Sequence, residues 1–208
     1  ELGTGRRRRS SEPGPAGGAD YLSALPDDLL LLVLARLGCA AAAARTGLLA
    51  RRWRGLWARL RQIVLRDVPF PSIEAALGRV PPPPHAVSSS ISVPKEQRTD
   101  SAGVNSLLRA AARLEPEKLD FRLPAGLIDR SLAVDLPCFQ RATSIALDLS
   151  PITLAVPAGA DFPALETLSL ARCSTDLDAL LSCCPRLRTL RLNDVDFHTT
   201  TVIDYIPQ

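Results

Sequence analysis

Five cysteines and two histidines are the residues in this chain best suited to act as nucleophiles, bases or soft metal ligands. The cysteines are Cys39, Cys138, Cys173, Cys183 and Cys184, an odd set with no C-x-x-C pair. A zinc site or a disulfide framework needs paired, regularly spaced ligands, and neither pattern is present. Cys183-Cys184 invites a thioester reading, but Leu177, Leu180, Leu181 and Cys184 share a helical spacing, and a buried helix face is the plainer account. His85 adjoins the run Pro81–Pro84, His198 lies near the C-terminus, and neither stands in a pattern that pairs a base with a nucleophile. Gly14, Gly17 and Gly18 sit in a polar N-terminal stretch, so no glycine-rich phosphate loop is formed. The chain is therefore read as non-catalytic, with no metal and no cofactor.

Arginine is the other chemically loaded residue. Residues 45–66 hold seven arginines and no acid, a footprint that suits phosphate. Trp53, Trp57 and several leucines divide the segment, however, where a nucleic-acid helix would present its cations on one open face. No nucleic-acid partner is expected. Charge is split along the chain: residues 1–67 carry 12 basic and 6 acidic side chains (+6), residues 68–208 carry 13 and 16 (−3). The two parts are expected to meet different surfaces. The longest apolar run, Leu29–Ala35, has seven residues, against about 20 for a membrane span. Arg6–Arg9 is followed by Ser, Pro and Gly rather than by the apolar core of a signal peptide. No membrane partner is expected, and the free-cysteine set fits the nucleus, the cytoplasm or both.

Residues 1–20 are rich in Gly, Pro and Ser and read as a disordered tail. Order is expected from residue 21. Pro26, Asp27 and Asp28 open a helix by fixing φ and by placing acids at the positive end of the dipole, and Gly38 closes it. Cys39–Ala44 reads as a short alanine-rich helix, and Thr46 as the cap of a third, with Leu49, Trp53, Leu56 and Leu60 on one face. About 40 residues of small helices bury too little to fold firmly alone. Yet Leu29 to Leu34 are apolar without a break, so two faces of the first helix need covering.

Over residues 68–208 a weak repeat emerges. Leu165-x-x-Leu168-x-Leu170 is followed 22 residues later by Leu187-x-x-Leu190-x-Leu192, and preceded by Ala142-x-x-Ile145-x-Leu147. Leu119-x-Phe121 and Ile91-x-Val93 read as degenerate copies, and a helix is expected over Val104–Leu114. L-x-x-L-x-L at this period marks a leucine-rich repeat. Thr175 and Asp178 suggest a capping box for the helix between the last two copies.

Leu25-Pro26-Asp27-Asp28-Leu29-Leu30, Leu34, Leu37, Ala44-Arg45-Thr46, Leu49, Arg51-Arg52-Trp53-Arg54 and Leu56-Trp57 together resemble an F-box of the plant type. Gly47 and Ala50 depart from it, standing where serine is usual. The repeats that follow resemble those of plant F-box/leucine-rich-repeat and FBD-like proteins. The resemblance implies an α+β chain: a small three-helix F-box over 21–67, then an irregular α/β leucine-rich-repeat solenoid over 68–208. The chain begins at Glu1, contains no methionine and ends without a capping pattern, so a fragment with a truncated repeat array is expected. The resemblance further implies a substrate-receptor subunit of an SCF-type (Skp–cullin–F-box) ubiquitin ligase. Leu25, Pro26, Leu29, Leu30, Val33, Leu34, Leu37, Leu49 and Trp53 would dock on a Skp-type adaptor and, through it, on the cullin–RING core. The exposed repeat positions Glu166, Thr167, Ser169, Arg188, Thr189 and Arg191 would hold a protein substrate, with ordinary solvated strand residues as the plainer reading of each. A degenerate or truncated F-box protein that binds the adaptor without a substrate is the alternative.

Overall fold

The computed structural model describes residues 24–66, 68–80, 87–93, 100–123 and 133–197. The tail expected over residues 1–20, the proline run, both histidines and the C-terminal segment from 198 lie outside them.

The first ordered element is α1 (Asp27–Arg36), with Pro26 immediately before it and Asp27 and Asp28 in its first turn. Its polypeptide turns away at Gly38, whose φ of +66° is a left-handed conformation that costs a glycine little. A second short helix, α2 (Ala40–Arg45), follows. The expected third helix is replaced by three short 3-10 turns, Thr46–Leu48, Arg51–Trp53 and Leu56–Arg59. Two backbone features break it: Ala50 is extended, and Gly55 has φ +79°. Thr46 does not cap a helix start either; its hydroxyl donates to the Ala43 carbonyl at 2.7 Å. The apolar pattern still closes a small core, in which Leu30, Leu34 and Ala43 meet Trp53, Leu56 and Leu60. Leu49 is not part of it and is 81% exposed.

A parallel sheet begins directly afterwards. Its strands are β1 (Gln62–Arg66), β2 (Ser88–Ser92), β3 (Lys118–Arg122), β4 (Ala133–Asp135), β5 (Ser144–Ala155), β6 (Thr167–Thr175), β7 (Thr189–Asn193) and β8 (Asp196–Phe197). The hydrogen-bonded path is β1-β2-β3-β5-β6-β7, with β4 on β5 and β8 on β6. All pairs are parallel, so each strand needs a crossover back to its starting end. Helices α3 (Phe70–Arg79), α4 (Ser101–Ala112) and α5 (Leu177–Ser182) lie in three of these crossovers. Period-2 alternation in each strand sends one set of side chains inward. Register then stacks Leu65, Ile91, Phe121, Leu147, Leu170 and Leu192 in one row. The second row is Ile63, Ser89, Leu119, Ile145, Leu168 and Leu190. These rows face buried residues of the helices, including Ile73, Leu77, Val104, Leu107, Leu108 and Leu180, in one continuous core.

The spacing of the leucine pattern thus becomes strand pairing: Ile145, Leu168 and Leu190 are direct neighbours across β5, β6 and β7. The chain is a mixed helix-and-strand fold into which leucine-rich repeats fit. The strand β1 falls within residues 21–67, yet its Ile63 and Leu65 belong to the sheet's core. Aspartates cap the starts of α4 and α5 in the same way. Asp100 accepts from the Gly103 amide at 2.8 Å at the start of α4. At α5 the capping residue is Asp176, which accepts from the Ala179 amide at 3.0 Å, in place of the expected Thr175–Asp178 box. Thr175 is a buried strand residue that donates to the Leu154 carbonyl at 3.0 Å.

Candidate interaction surfaces

Burial sorts the leucines of α1. Leu30 and Leu34, one helical turn apart, point into the small core with Trp53. These three were expected on the adaptor face; packing gives them to the interior instead. Leu29, Val33 and Leu37 are exposed, as is Pro26, while Leu25 packs against the rim of the small core. Leu32 joins the outer set at 63% exposure. Leu29, Leu32, Val33 and Leu37 fall at i, i+3, i+4 and i+8, one face of a helix. Sequence reasoning missed Leu32 because an unbroken apolar run carries no phase. Leu48 and Leu49, 85% and 81% exposed, project from the turn after α2. The unit is braced by Asp27, whose carboxylate takes Arg52 at 2.9 Å and Arg59 at 3.2 Å. Hydrogen bonding from Arg52, with smaller help from Arg59, holds this carboxyl below the ordinary aspartate value despite some desolvation.

Beside the outer face a cleft of about 490 Å³ is lined by Leu31, Leu32, Ala35, Leu60 and the polar Asp28, Arg59, Arg61 and Gln62. A second, of about 570 Å³, lies between α2 and α3, with alanines, Trp57, Arg54 and Arg79 on its walls. Gly47 is buried there, and a Cβ on it would stand 3.3 Å from the Arg54 side chain. A larger residue at this position would require Arg54 to give by a few tenths of an ångström.

On the sheet, Thr167 and Ser169 of β6 stand beside Thr189 and Arg191 of β7 in register, all on the outward side. Glu166 and Arg188 are exposed just before those strands, where the Arg188 amide donates to the Glu166 carbonyl at 2.9 Å. The six expected residues thus form one neighbourhood. Two ion pairs lie further along the same face. Arg122 grips Asp120 at 2.9 and 3.0 Å, and Arg172 reaches Asp148 at 2.6 Å while donating to the Leu123 carbonyl at 3.2 Å.

The cysteines do not gather. Cys173 and Cys184 are buried, and burial pushes both thiols up to about 11, with nearby negative charge adding to the effect. Neither offers a thiolate nucleophile at neutral pH. The Cys183 thiol donates to the Ala179 carbonyl at 3.1 Å. Among the described residues no group of three potential ligands is placed to hold a metal ion. Nor is any described helix long and apolar enough to cross a membrane.

Residues 104–203, from the first turn of α4 onward, match the model for the leucine-rich repeats of FBD-associated F-box protein At5g56370. The chain is also similar to MEIOTIC F-BOX protein MOF of Oryza sativa subsp. japonica, 33% identical over 204 residues that cover 83% of this chain and 40% of the rice protein. No solved structure matches it. The two matches support a plant F-box protein with leucine-rich repeats, and the chain spans 40% of the length of its curated relative.

Proposed function

We propose that the chain is a substrate receptor of an SCF-type ubiquitin ligase, acting in the nucleus or cytoplasm. The helical unit docks on a Skp-type adaptor, and the outward strand face holds a protein to be ubiquitinated. No covalent chemistry is asked of the chain. Its contribution is proximity: it holds a target lysine near the charged ubiquitin-conjugating enzyme, which turns an encounter into a near-intramolecular reaction.

The observation that supports this best is the outer leucine set. Leu32, Leu48 and Leu49 remain well exposed although the unit already has its own closed core. Clustered large apolar side chains left exposed on a helical unit with a closed core mark a contact site. Burying four or five such side chains yields roughly 1.5–3 kcal/mol each, enough to overcome an association cost of about 4–15 kcal/mol in favourable geometry. The expected adaptor contacts are therefore Leu25, Pro26, Leu29, Leu32, Val33, Leu37, Leu48 and Leu49, with Leu30, Leu34 and Trp53 supporting them from beneath.

The test is co-purification of the full chain with a plant Skp-type adaptor. The natural sequence is expected to form a stable complex that Leu32→Asp with Leu49→Asp abolishes while thermal unfolding stays unchanged. Absence of a complex with the natural sequence would remove the ligase reading.

A further inference from the structure

The outward face of the sheet has relief as well as charge. On β5 and β6 its residues are small: Ser144 and Ala146, Thr167 and Ser169, then Ala171. Larger charged residues flank this floor, Lys118 on β3 and Arg191 on β7. Strands lie about 4.8 Å apart, so the three intervals from β3 through β5 and β6 to β7 make a shallow trough about 14 Å wide. Lys118 stands in the row of Thr189 and Arg191 in the row of Asp120, two residues on, which sets the two cations about 16 Å apart on the diagonal. That width accommodates one extended polypeptide, which lies along the trough with side chains reaching each wall.

The charges of the trough are mostly spoken for. Asp120 is closed by Arg122 and Asp148 by Arg172, so within the strand rows from β3 to β7 the acids are already neutralised. Lys118 and Arg191 have no ion-pair partner among the described residues and are exposed. Glu117 and Glu166 lie just before the strands, and Glu166 neighbours Arg188. Residues 68–208 carry a net charge of −3, so a cationic trough is not what the composition of this part would produce by default. The floor offers the Ser144, Thr167 and Ser169 hydroxyls, able to donate to or accept from a peptide backbone.

We propose that this trough binds a single extended, acidic peptide segment of the target protein, with carboxylates reaching Lys118 on one wall and Arg191 on the other. This rests on the reading of the strand face as the substrate surface, and names the substrate's chemistry. In an extended chain alternate side chains point to opposite sides, so the two carboxylates fall an odd number of residues apart. A nucleic acid fits less well, because two cations on opposite walls do not make the continuous basic track that a phosphate backbone needs.

The test is selection from a random-peptide phage library on the full chain, repeated on Lys118→Glu with Arg191→Glu. Synthetic peptides labelled with fluorescein then measure the affinity of the selected sequence and of its Glu→Gln and Asp→Asn counterpart. The natural chain is expected to select acidic peptides with odd carboxylate spacing. Neutralising their acids, or reversing the two cations, should weaken binding by tenfold or more, and the reversed variant should select basic peptides. Ser169→Trp, which fills the floor without changing charge, should abolish binding while the melting temperature is kept. Selection of uncharged peptides indifferent to the reversal, or of no peptide at all, would overturn the proposal. So would binding of a labelled single-stranded oligonucleotide that depends on Lys118 and Arg191. Both variants are expected to retain the adaptor, so loss of adaptor binding by the natural chain with peptide binding intact would sink the ligase reading alone.

Discussion

Ser89 is the residue at which this structure is least at ease. It occupies an inward position between Ile63 and Leu119, is 1% exposed, and its hydroxyl has no hydrogen-bond partner among the described residues. Leaving a buried hydroxyl unpaired costs about 1–3 kcal/mol. Ser89→Ala should therefore raise the unfolding free energy by about 1 kcal/mol, read as a higher denaturant midpoint at unchanged slope. A lower midpoint would mean that the hydroxyl has a partner after all. Asp27 makes the opposite kind of contribution. Its carboxyl is held below its ordinary value by Arg52 and Arg59, so the folded state binds this proton less readily than the unfolded chain. The stabilisation is present above the unfolded value, near 3.9, and is lost as pH falls through the lower folded value. The midpoint gap between the natural chain and Asp27→Asn should accordingly shrink from neutral pH to about pH 3. A gap that stays constant would assign the effect to packing. The pair is exposed to solvent, so the gap itself should be small.

At the scale of elements, α1 works because its two leucine sets have separate duties. Leu34→Ala should cost about 2–5 kcal/mol of folding stability, the range for opening a cavity in a closed core. Leu32→Ala, on the exposed side, should change stability by less than about 0.5 kcal/mol and act only on adaptor binding. Thermal melts of the two variants separate these outcomes, and equal losses would refute the division. The helix and its stop at Gly38 were legible from Pro26, the two acids and the glycine. Which leucines face inward was not, since Leu29 to Leu34 fit every phase and only Trp53, Leu56 and Leu60 choose between them. The helix expected after Thr46 failed for a backbone reason: the apolar spacing was helical, but Ala50 and Gly55 take non-helical conformations. The strands at Leu168 and Leu190 were plain because L-x-L alternates cleanly. The strand at Ile63 was hidden by Ile63-Val64-Leu65, an unbroken apolar triplet at the edge of an arginine-rich segment. The α5 cap was misplaced by one residue because Thr175 and Asp176 are both good capping types, and only the burial of Thr175 in the sheet decides between them.

Over the whole molecule, two chemically distinct surfaces are carried by one continuous scaffold. The helical unit, from the basic part of the chain, presents bare leucines. The sheet, mostly from the acidic part, presents a trough in which Asp120 and Asp148 are paired while Lys118 and Arg191 have no ion-pair partner among the described residues. The units are joined without a flexible break: Leu60 closes the small core and Gln62 begins the first strand, with Trp57 packed against both cores. Such a junction holds the two surfaces in a fixed relation, as the proposed receptor role would require. The resemblance to F-box proteins was legible from the motif residues, whereas the trough was not, since it depends on strand order and register across nearly 80 residues. The most direct measurement of the central claim is a calorimetric titration of a plant Skp-type adaptor into the full chain and into Leu32→Asp with Leu49→Asp. The account predicts tight binding with a negative heat-capacity change for the natural chain, the mark of apolar burial, and no measurable heat for the variant at the same melting temperature. Equal binding by both, or by neither, would contradict it.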